Sequence, residues 1–431
     1  MFRPTLTRAQ ESARTSRTGL KIYPAFANFR RCKVAGLPSL WQRGVMKWLF
    51  HSLVTALWLA VQGTLAAEHP YGLPDGLYTE ITTERGVIVG ELFFQKTPLT
   101  VASYVGLAEG SLGPLPRKPF FAGLKWHRVV PGFVVQGGDP TGTGDGGPGY
   151  EFPDELVPGL RHDSVGVLQM ANDGPDSNGS QYCLMLSPQP RLNYLHTVFG
   201  HVVRGLEVLP RIQQGDTMQV KILRLGDAAR AFRADDASFA VLLAHAREHR
   251  YQAQREPGTN APFDDPDKIL PTDWPRARAF NFKLANFERF TGQRIVARVF
   301  ARPPAPAARG LADWMSGEAT RLGVVQHGAL AVYFADQDRW HLFIGKNSQP
   351  TFLRTGPLGE ALRPEPSLAT AVAKFLGAAR LRSHAAFAHA QASATPDKPL
   401  PAGQAVKLQV DAVLDGLILK LEPQRSPPTQ P

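Results

Sequence analysis

Cysteine is nearly absent from this chain. The 431 residues hold two, Cys32 and Cys183, too few for a disulfide framework, so stability must rest on a buried core. Long hydrophobic runs are scarce too. The one run of note, residues 49–61 (LFHSLVTALWLAV), is too short for a good membrane span. A surplus of one charge is missing from most of the chain. Residues 1–66 carry ten Lys or Arg and one acidic residue; the remainder holds 38 basic and 36 acidic residues, so most of the formal charge of +11 belongs to the N-terminus. That balance excludes a surface that tracks DNA or RNA. With 43% hydrophobic and 20% charged residues, the chain reads as globular and long enough for two or more domains.

The N-terminus reads as targeting. Met46, Lys47 and Trp48 give a short positive start, the run at 49–61 follows, and QGTLAA supplies small residues for cleavage near Ala66 or Ala67. Residues 46–67 are therefore expected to be a signal peptide, against the alternative of an uncleaved anchor. Residues 1–45 are then either untranslated, with Met46 the true start, or a targeting extension rich in Arg, Ser and Thr. The first reading, which is preferred, predicts a periplasmic or secreted protein; the second predicts a plastid lumen. Cleavage removes Cys32 and leaves no stable membrane span.

Residues 77–94 (LYTEITTERGVIVGELFF) show two strand-like runs around Arg85-Gly86, a hairpin signal. Residues 97–109 read as a helix, with Thr97 as cap, Pro98 at the first position, Gly110 as stop, and Val101, Tyr104, Val105 and Ala108 as the apolar stripe. From 124 to 225, short apolar runs broken by Gly, Pro and Asn argue for an antiparallel barrel or sandwich. One of these runs, WHRVVPGFVVQGGDP (126–140), is expected to be buried strand, yet it carries Arg128 and Gln136, which bury badly without partners.

Three stretches answer that oddity. WHRVVPGFVVQGGDPTGTGDGGPGYEFPDE, GVLQMANDGPDSNGSQYCLML and LNYLHTVFGHVVRGLEVL resemble, in order and spacing, the signature of the cyclophilins. The resemblance covers residues 77–227. It implies a closed eight-stranded antiparallel β-barrel capped by two helices, here at 97–109 and about 206–213, where Pro210 interrupts the second. It also implies peptidyl-prolyl cis-trans isomerase activity on proline-containing polypeptides, without a cofactor or metal. Amide resonance sets a rotation barrier of about 20 kcal/mol, and no bond to carbon need break. A fixed, always-charged guanidinium aimed at the proline nitrogen stabilises the twisted amide over either planar isomer. The resemblance gives that catalytic role to Arg128. Gln136 becomes its polar partner, Phe133, Val134, Leu192 and His196 the lining of the proline pocket, and Ala171, Asn172 and Gln181 the holders of the substrate backbone. Cys183 stands where the family usually has a bulky aromatic against which proline packs. Arg191 replaces another frequent aromatic, and Val134 a common Met. These departures predict an enlarged proline pocket, weaker turnover on small peptides and weaker binding of cyclosporin-like ligands.

Other patterns take bland readings. GGDPTGTGDGG lacks the Gly-Lys-Ser/Thr ending of a phosphate cradle. HAREH (245–249) fits a zinc-peptidase spacing but sits in charged flanks, as the solvated end of a helix would. Asn178-Gly179-Ser180 belongs to a turn rather than a glycosylation acceptor, and Cys183 reads as a small core filler.

Residues 228–275 are expected to form a helix (237–249) and a Pro/Asp-rich linker (255–275). Residues 276–422 alternate helix and strand: a helix with Phe280, Leu284 and Phe287, strands RIVARVFA, GALAVYFA and RWHLFIG, a helix GLADWMSGEATRLG, a long Ala-rich helix at 367–392, and a closing hairpin, GQAVKLQVDAVLDGLILKLEP. That pattern predicts a small α/β domain. FERFTGQRIVARVF followed by GALAVYFADQDRWHLFIG faintly resembles the TPM domain, for which Asp313, Asp336 and Asp338 are the candidate acids, the last two also reading as turn formers. Residues 423–431 read as a disordered tail. Two further functions stay open: a binding module or chaperone for proline-containing chains with weak catalysis, and main chemistry in the C-terminal domain with the barrel as docking unit. The sequence leaves the oligomeric state open.

Overall fold

The computed structural model describes residues 70–271, 276–354, 356 and 363–423. The expected signal peptide, Cys32, the residues upstream and the last eight residues lie outside the described residues, as does the end of the expected linker. Two alternating runs form the expected hairpin, β1 (Gly76–Thr83) and β2 (Gly86–Leu92). Helix α1 (Pro98–Glu109) follows and ends at Gly110, whose φ of 74° is left-handed backbone. Thr97 precedes it, but its hydroxyl turns back to the Phe93 carbonyl. The helix start is capped instead by Glu155, whose carboxylate accepts from the Leu99 and Thr100 amides at 3.1 and 2.7 Å. Sequence spacing cannot reveal a cap supplied from 55 residues away.

Six more strands complete the sheet: β3 (Arg128–Val130), β4 (Val134–Gly137), β5 (Val167–Met170), β6 (Tyr182–Met185), β7 (Val198–Arg204) and β8 (Gln219–Leu225). All pairings are antiparallel, in the order β3-β4-β6-β5-β7-β2-β1-β8. The expected closed barrel is thus an open half-barrel. β3 is three residues long and does not pair with β8; ahead of it, residues 123–126 meet 215–218 through backbone hydrogen bonds and one isolated bridge, Lys125 to Thr217. The expected second capping helix is a 3₁₀ turn, Leu209–Arg211. Pro210 lacks the amide hydrogen that a longer helix would use.

Alternation sorts the strand side chains into two sets. Tyr182, Leu184, Leu168, Met170 and Val135 join α1 and Trp126 in the main core. Cys183, Met185, Val167, Val134 and Val198 face the opposite side and form a separate apolar floor with Leu192.

Helices α2 (Gly226–Ala231) and α3 (Asp236–Arg247) follow the half-barrel. The expected linker then contributes structure. Within it, β9 (Phe263–Asp264) pairs parallel to β10 (Ile295–Phe300) at the edge of a second sheet, ordered β12-β11-β10-β9, with β11 (Ala329–Phe334) and β12 (Arg339–Ile344). Helix α4 (Arg276–Thr291) precedes β10, while α5 (Ala305–Arg309) and α6 (Leu311–Arg321) make the crossover to parallel β11. Helices α7 (Gln349–Arg354), α8 (Leu368–Ser393) and α9 (Gln404–Leu421) complete the region. Packing on both sheet faces gives an α/β layering.

The expected closing hairpin is in fact α9. Its β-branched residues suggest strands, but Val410, Val413, Leu414, Leu417 and Leu421 recur every three or four residues and are all buried. Helical spacing wins over residue type here. Residues 70–423 belong to one compact unit, and Leu156 and Tyr194 of the half-barrel share a core with α4 and α9.

Candidate active site

In antiparallel sheets, residues paired across strands lie on one face. The registers set Arg128 opposite Gln136, Gln136 opposite Cys183, and Cys183 opposite Gln169. One row across four strands thus carries the candidate guanidinium, its amide partner and the two residues beside them. The row lies on the outer face. The expectation of a buried strand at 126–140 is corrected accordingly: the segment folds back at 131–133, and Arg128 is exposed.

Three polar side chains lock one another. Arg128 Nη1 donates to Gln136 Oε1 at 3.0 Å, and Gln136 Nε2 donates to Gln181 Oε1 at 2.9 Å. Gln181 Nε2 donates to the Gly144 and Gly146 carbonyls at 2.7 and 2.9 Å. Fixed carbonyls at one end dictate which way each amide points, and so where the guanidinium sits. The carbonyls are fixed because Asp139 accepts from the Gly144 and Thr141 amides. Burial alone would raise the Asp139 pKa, but these hydrogen bonds hold it down at about 2.

The apolar floor adjoins this relay. Val134, Cys183 and Leu192 are 1%, 4% and 6% exposed, and Phe133 and Ala171 pack against them. Leu192 sits in a 3₁₀ turn, Pro190–Leu192. His196 Nδ1 lies 3.1 Å from the Met170 carbonyl, and burial pushes its pKa down to about 3, so the ring is neutral near pH 7. On the other side of the relay, a cavity of about 560 Å³ is bordered by Gln136, Ala171, Asn172 and Gln181. Nine of the ten expected site residues thus lie in the relay, the floor or the border of the cavity, while His196 rests against the Met170 carbonyl.

Sequence reading misses Gln169, Asp154 and Asp176 of this neighbourhood. Gln169 is buried directly opposite Cys183, and its amide meets the thiol. A larger side chain at 183 would therefore meet Gln169. Tyr182 lies away from this floor; it points into the main core, edge-on to Tyr104 and Trp126. Burial pushes the Cys183 thiol up to about 12, which removes thiolate chemistry at neutral pH. Asp154 is buried and accepts from Asn178 Nδ2 at 2.7 Å and the Asp176 amide at 3.1 Å, with Asn172 Nδ2 at 3.5 Å. Burial raises its pKa to about 6. Asp176 in turn meets Arg289 of α4 at 2.9 Å. Arg191 lies with its guanidinium carbon 4.7 Å from the centre of the Phe133 ring, where Arg128 is at 5.8 Å. The alternation of strands predicts Gln169's face, but nothing in the sequence links α4 to the Asn172 loop.

The remaining candidates lie elsewhere. His245 and His249 stand exposed at the end of α3, with rings 5.9 Å apart. Asp338, in left-handed backbone, accepts from Tyr333 and Gln409, which fits a turn role. Asp313 is exposed near the start of α6. No group of three His, Cys, Asp or Glu is arranged to hold a metal among the described residues.

Similarity to known proteins falls on the half-barrel. The family profile "Cyclophilin type peptidyl-prolyl cis-trans isomerase/CLD" matches residues 78–227. Peptidyl-prolyl cis-trans isomerase A of Mycobacterium tuberculosis is 48% identical over 128 residues, covering 28% of this chain and 70% of the relative. Peptidyl-prolyl cis-trans isomerase CYP18-2 of Arabidopsis thaliana is 40% identical over 163 residues, 35% of this chain and 94% of the relative. A solved cyclophilin-type isomerase of Cryptosporidium parvum aligns at 29% identity and TM-score 0.31, covering 35% of this chain and 98% of that one. The chain belongs to the cyclophilin-type peptidyl-prolyl cis-trans isomerase family.

Proposed function

We propose that this chain is an exported prolyl isomerase in which Arg128 stabilises the twisted Xaa-Pro amide. The observation that carries the reading is the relay from Gly144 and Gly146 through Gln181 and Gln136 to Arg128, beside an apolar floor. A proline ring resting on Phe133, Val134 and Leu192 presents its nitrogen to the guanidinium. As the amide twists, the nitrogen lone pair is released, and a pre-placed donor gains strength only then. Asn172 and Gln181 hold the flanking peptide. His196 is neutral, so it packs and does not shuttle protons. Chemistry of this kind needs no cofactor.

Export rests on the sequence of residues 46–67. The working compartment in this reading is the bacterial envelope, where the enzyme serves the folding of exported chains. Two measurements on the full-length product test the proposal. Purified enzyme is expected to accelerate exchange of an Xaa-Pro peptide, and N-terminal sequencing of envelope material is expected to start between Ala66 and His69. Peptide binding without acceleration would favour a chaperone. A mature chain that retains residues 49–61 would favour a membrane anchor.

A further inference from the structure

The wall beside the proline floor is cationic, and it faces a second cavity. Arg191 stacks on Phe133, and its Nε donates to Gln189 Oε1 at 3.0 Å. Among the described residues its two terminal nitrogens have no acceptor and its charge no ion-pair partner. Burial pushes its guanidinium pKa down, Asp411 and Asp415 oppose that, and Arg276 and Arg128 add to it. Both carboxylates are already paired with lysines, Lys407 and Lys283, so the desolvated guanidinium stays short of negative charge.

Arg191 also lines a cavity of about 530 Å³ between the 188–193 loop and helices α8 and α9. Its walls are largely apolar, from Pro188, Pro190, Leu408, Ala412 and Leu419. Several of the charges around it are paired. Asp411 pairs with Lys407, Asp415 with Lys283 at 2.5 Å, and Arg161 with Glu422. Among the described residues Arg382 donates to the Ala412 carbonyl and forms no ion pair, and exposed Asp163 has no cation partner. What remains uncompensated is two guanidiniums against one solvated carboxylate. The cavity therefore suits a short aliphatic stem ending in a carboxylate, and Arg191 links it to the proline floor.

We infer that this enzyme selects polypeptides with an acidic side chain next to the isomerised proline, and that Arg191 is the residue that reads it. The inference rests on the isomerase reading above and adds the substrate class. The acidic side chain enters between the half-barrel and α9, where Arg191 donates to it from its free terminal nitrogens. An aromatic at this position would supply area without charge. The substitution thus trades a general apolar contact for a charge-selective one, and it makes the C-terminal helices part of the substrate site.

The test uses the full chain and matched Xaa-Pro peptides with Glu, Gln or Lys on either side of the proline. Exchange is followed by NMR, which needs no coupling protease. The expected order of kcat/KM is Glu above Gln above Lys. One charge-assisted contact corresponds to about tenfold between Glu and Lys at low salt, and the ratio should shrink as salt screens it. Arg191→Gln is expected to bring the ratio close to one, with thermal midpoint retained. Arg191→Lys keeps the charge and is expected to keep the order. A flat series in the wild type, a ratio that survives Arg191→Gln, or a flattened order in Arg191→Lys would overturn the inference. Absence of turnover on every peptide would instead overturn the isomerase reading.

Discussion

The half-barrel and the α/β region differ in the charges they bury. The half-barrel buries carboxylates, Asp139 and Asp154, and these collect backbone amides from irregular loops. The α/β region buries mostly cations, Lys283, Arg298, Lys407 and Lys420, with one carboxylate, Glu422. Arg298 donates to the carbonyls of Thr259, Ala261 and Ala297 at 2.9, 3.0 and 2.8 Å, so it pins the 259–262 segment against the sheet. A carboxylate can only accept and a guanidinium can only donate. Asp139, Asp154 and Arg298 each thus supply what the nearby loop backbone lacks. The two patterns meet where the site loops are held. Glu422 takes Arg161, the Gly159 amide at 3.0 Å and the Tyr194 hydroxyl at 2.5 Å. Asn286 Nδ2 donates to the Tyr194 carbonyl at 3.0 Å, and Tyr194 leads directly into His196. The C-terminal region thus braces the half-barrel loops at 159–161 and 194.

Breaking the meeting point should have the largest effect. Glu422→Ala leaves Arg161 and the Tyr194 hydroxyl without their acceptor. Loss of one partner of a buried pair costs about 3–5 kcal/mol, and partial exposure of Arg161 sets the low end. Denaturant unfolding checks the stability change, and peptide kinetics should show a raised KM as the 191–196 loop loosens. Stability and KM both unchanged would mean that the half-barrel stands alone.

A smaller effect sharpens the comparison inside the half-barrel. Cys183→Phe adds a ring beside buried Gln169, and overpacking of this kind costs about 1–3 kcal/mol. Gln169→Ala in the same chain should recover both midpoint and turnover. If Cys183→Phe alone raises turnover with its midpoint retained, the floor is open and Gln169 does not fill it.

The same contrast separates what the sequence makes legible. The half-barrel is written in long stretches whose order fixes partners, and the strand alternation puts Arg128, Gln136 and Cys183 on one face as soon as the register is known. Its misreadings are local. Pro210 shortens a helix to one turn, and β3 is too short to close the seam with β8. In the α/β region only periodicity is available, and it reads Phe280, Leu284 and Phe287 correctly as one buried helix face. It fails at α9, where Val and Ile in a helix imitate strands, and at β9, where two residues between Pro and Asp form an edge pairing that no pattern announces. Contacts between the regions, such as Arg289 with Asp176 and Glu422 with Tyr194, join residues more than a hundred positions apart. No local rule reaches that far.

The central claim is that one positioned guanidinium lowers the rotation barrier. It is tested most directly by kcat/KM of the full chain carrying Arg128→Ala and Arg128→Lys. Arg128 is exposed and makes one hydrogen bond to Gln136, so neither variant should lose its fold, and thermal midpoints verify this. Loss of a charge-assisted contact to the twisted amide predicts a fall of at least about tenfold for Arg128→Ala. Arg128→Lys should recover only part, because an ammonium lacks the fork that Gln136 holds in place. Unchanged turnover in a folded Arg128→Ala enzyme would contradict the account.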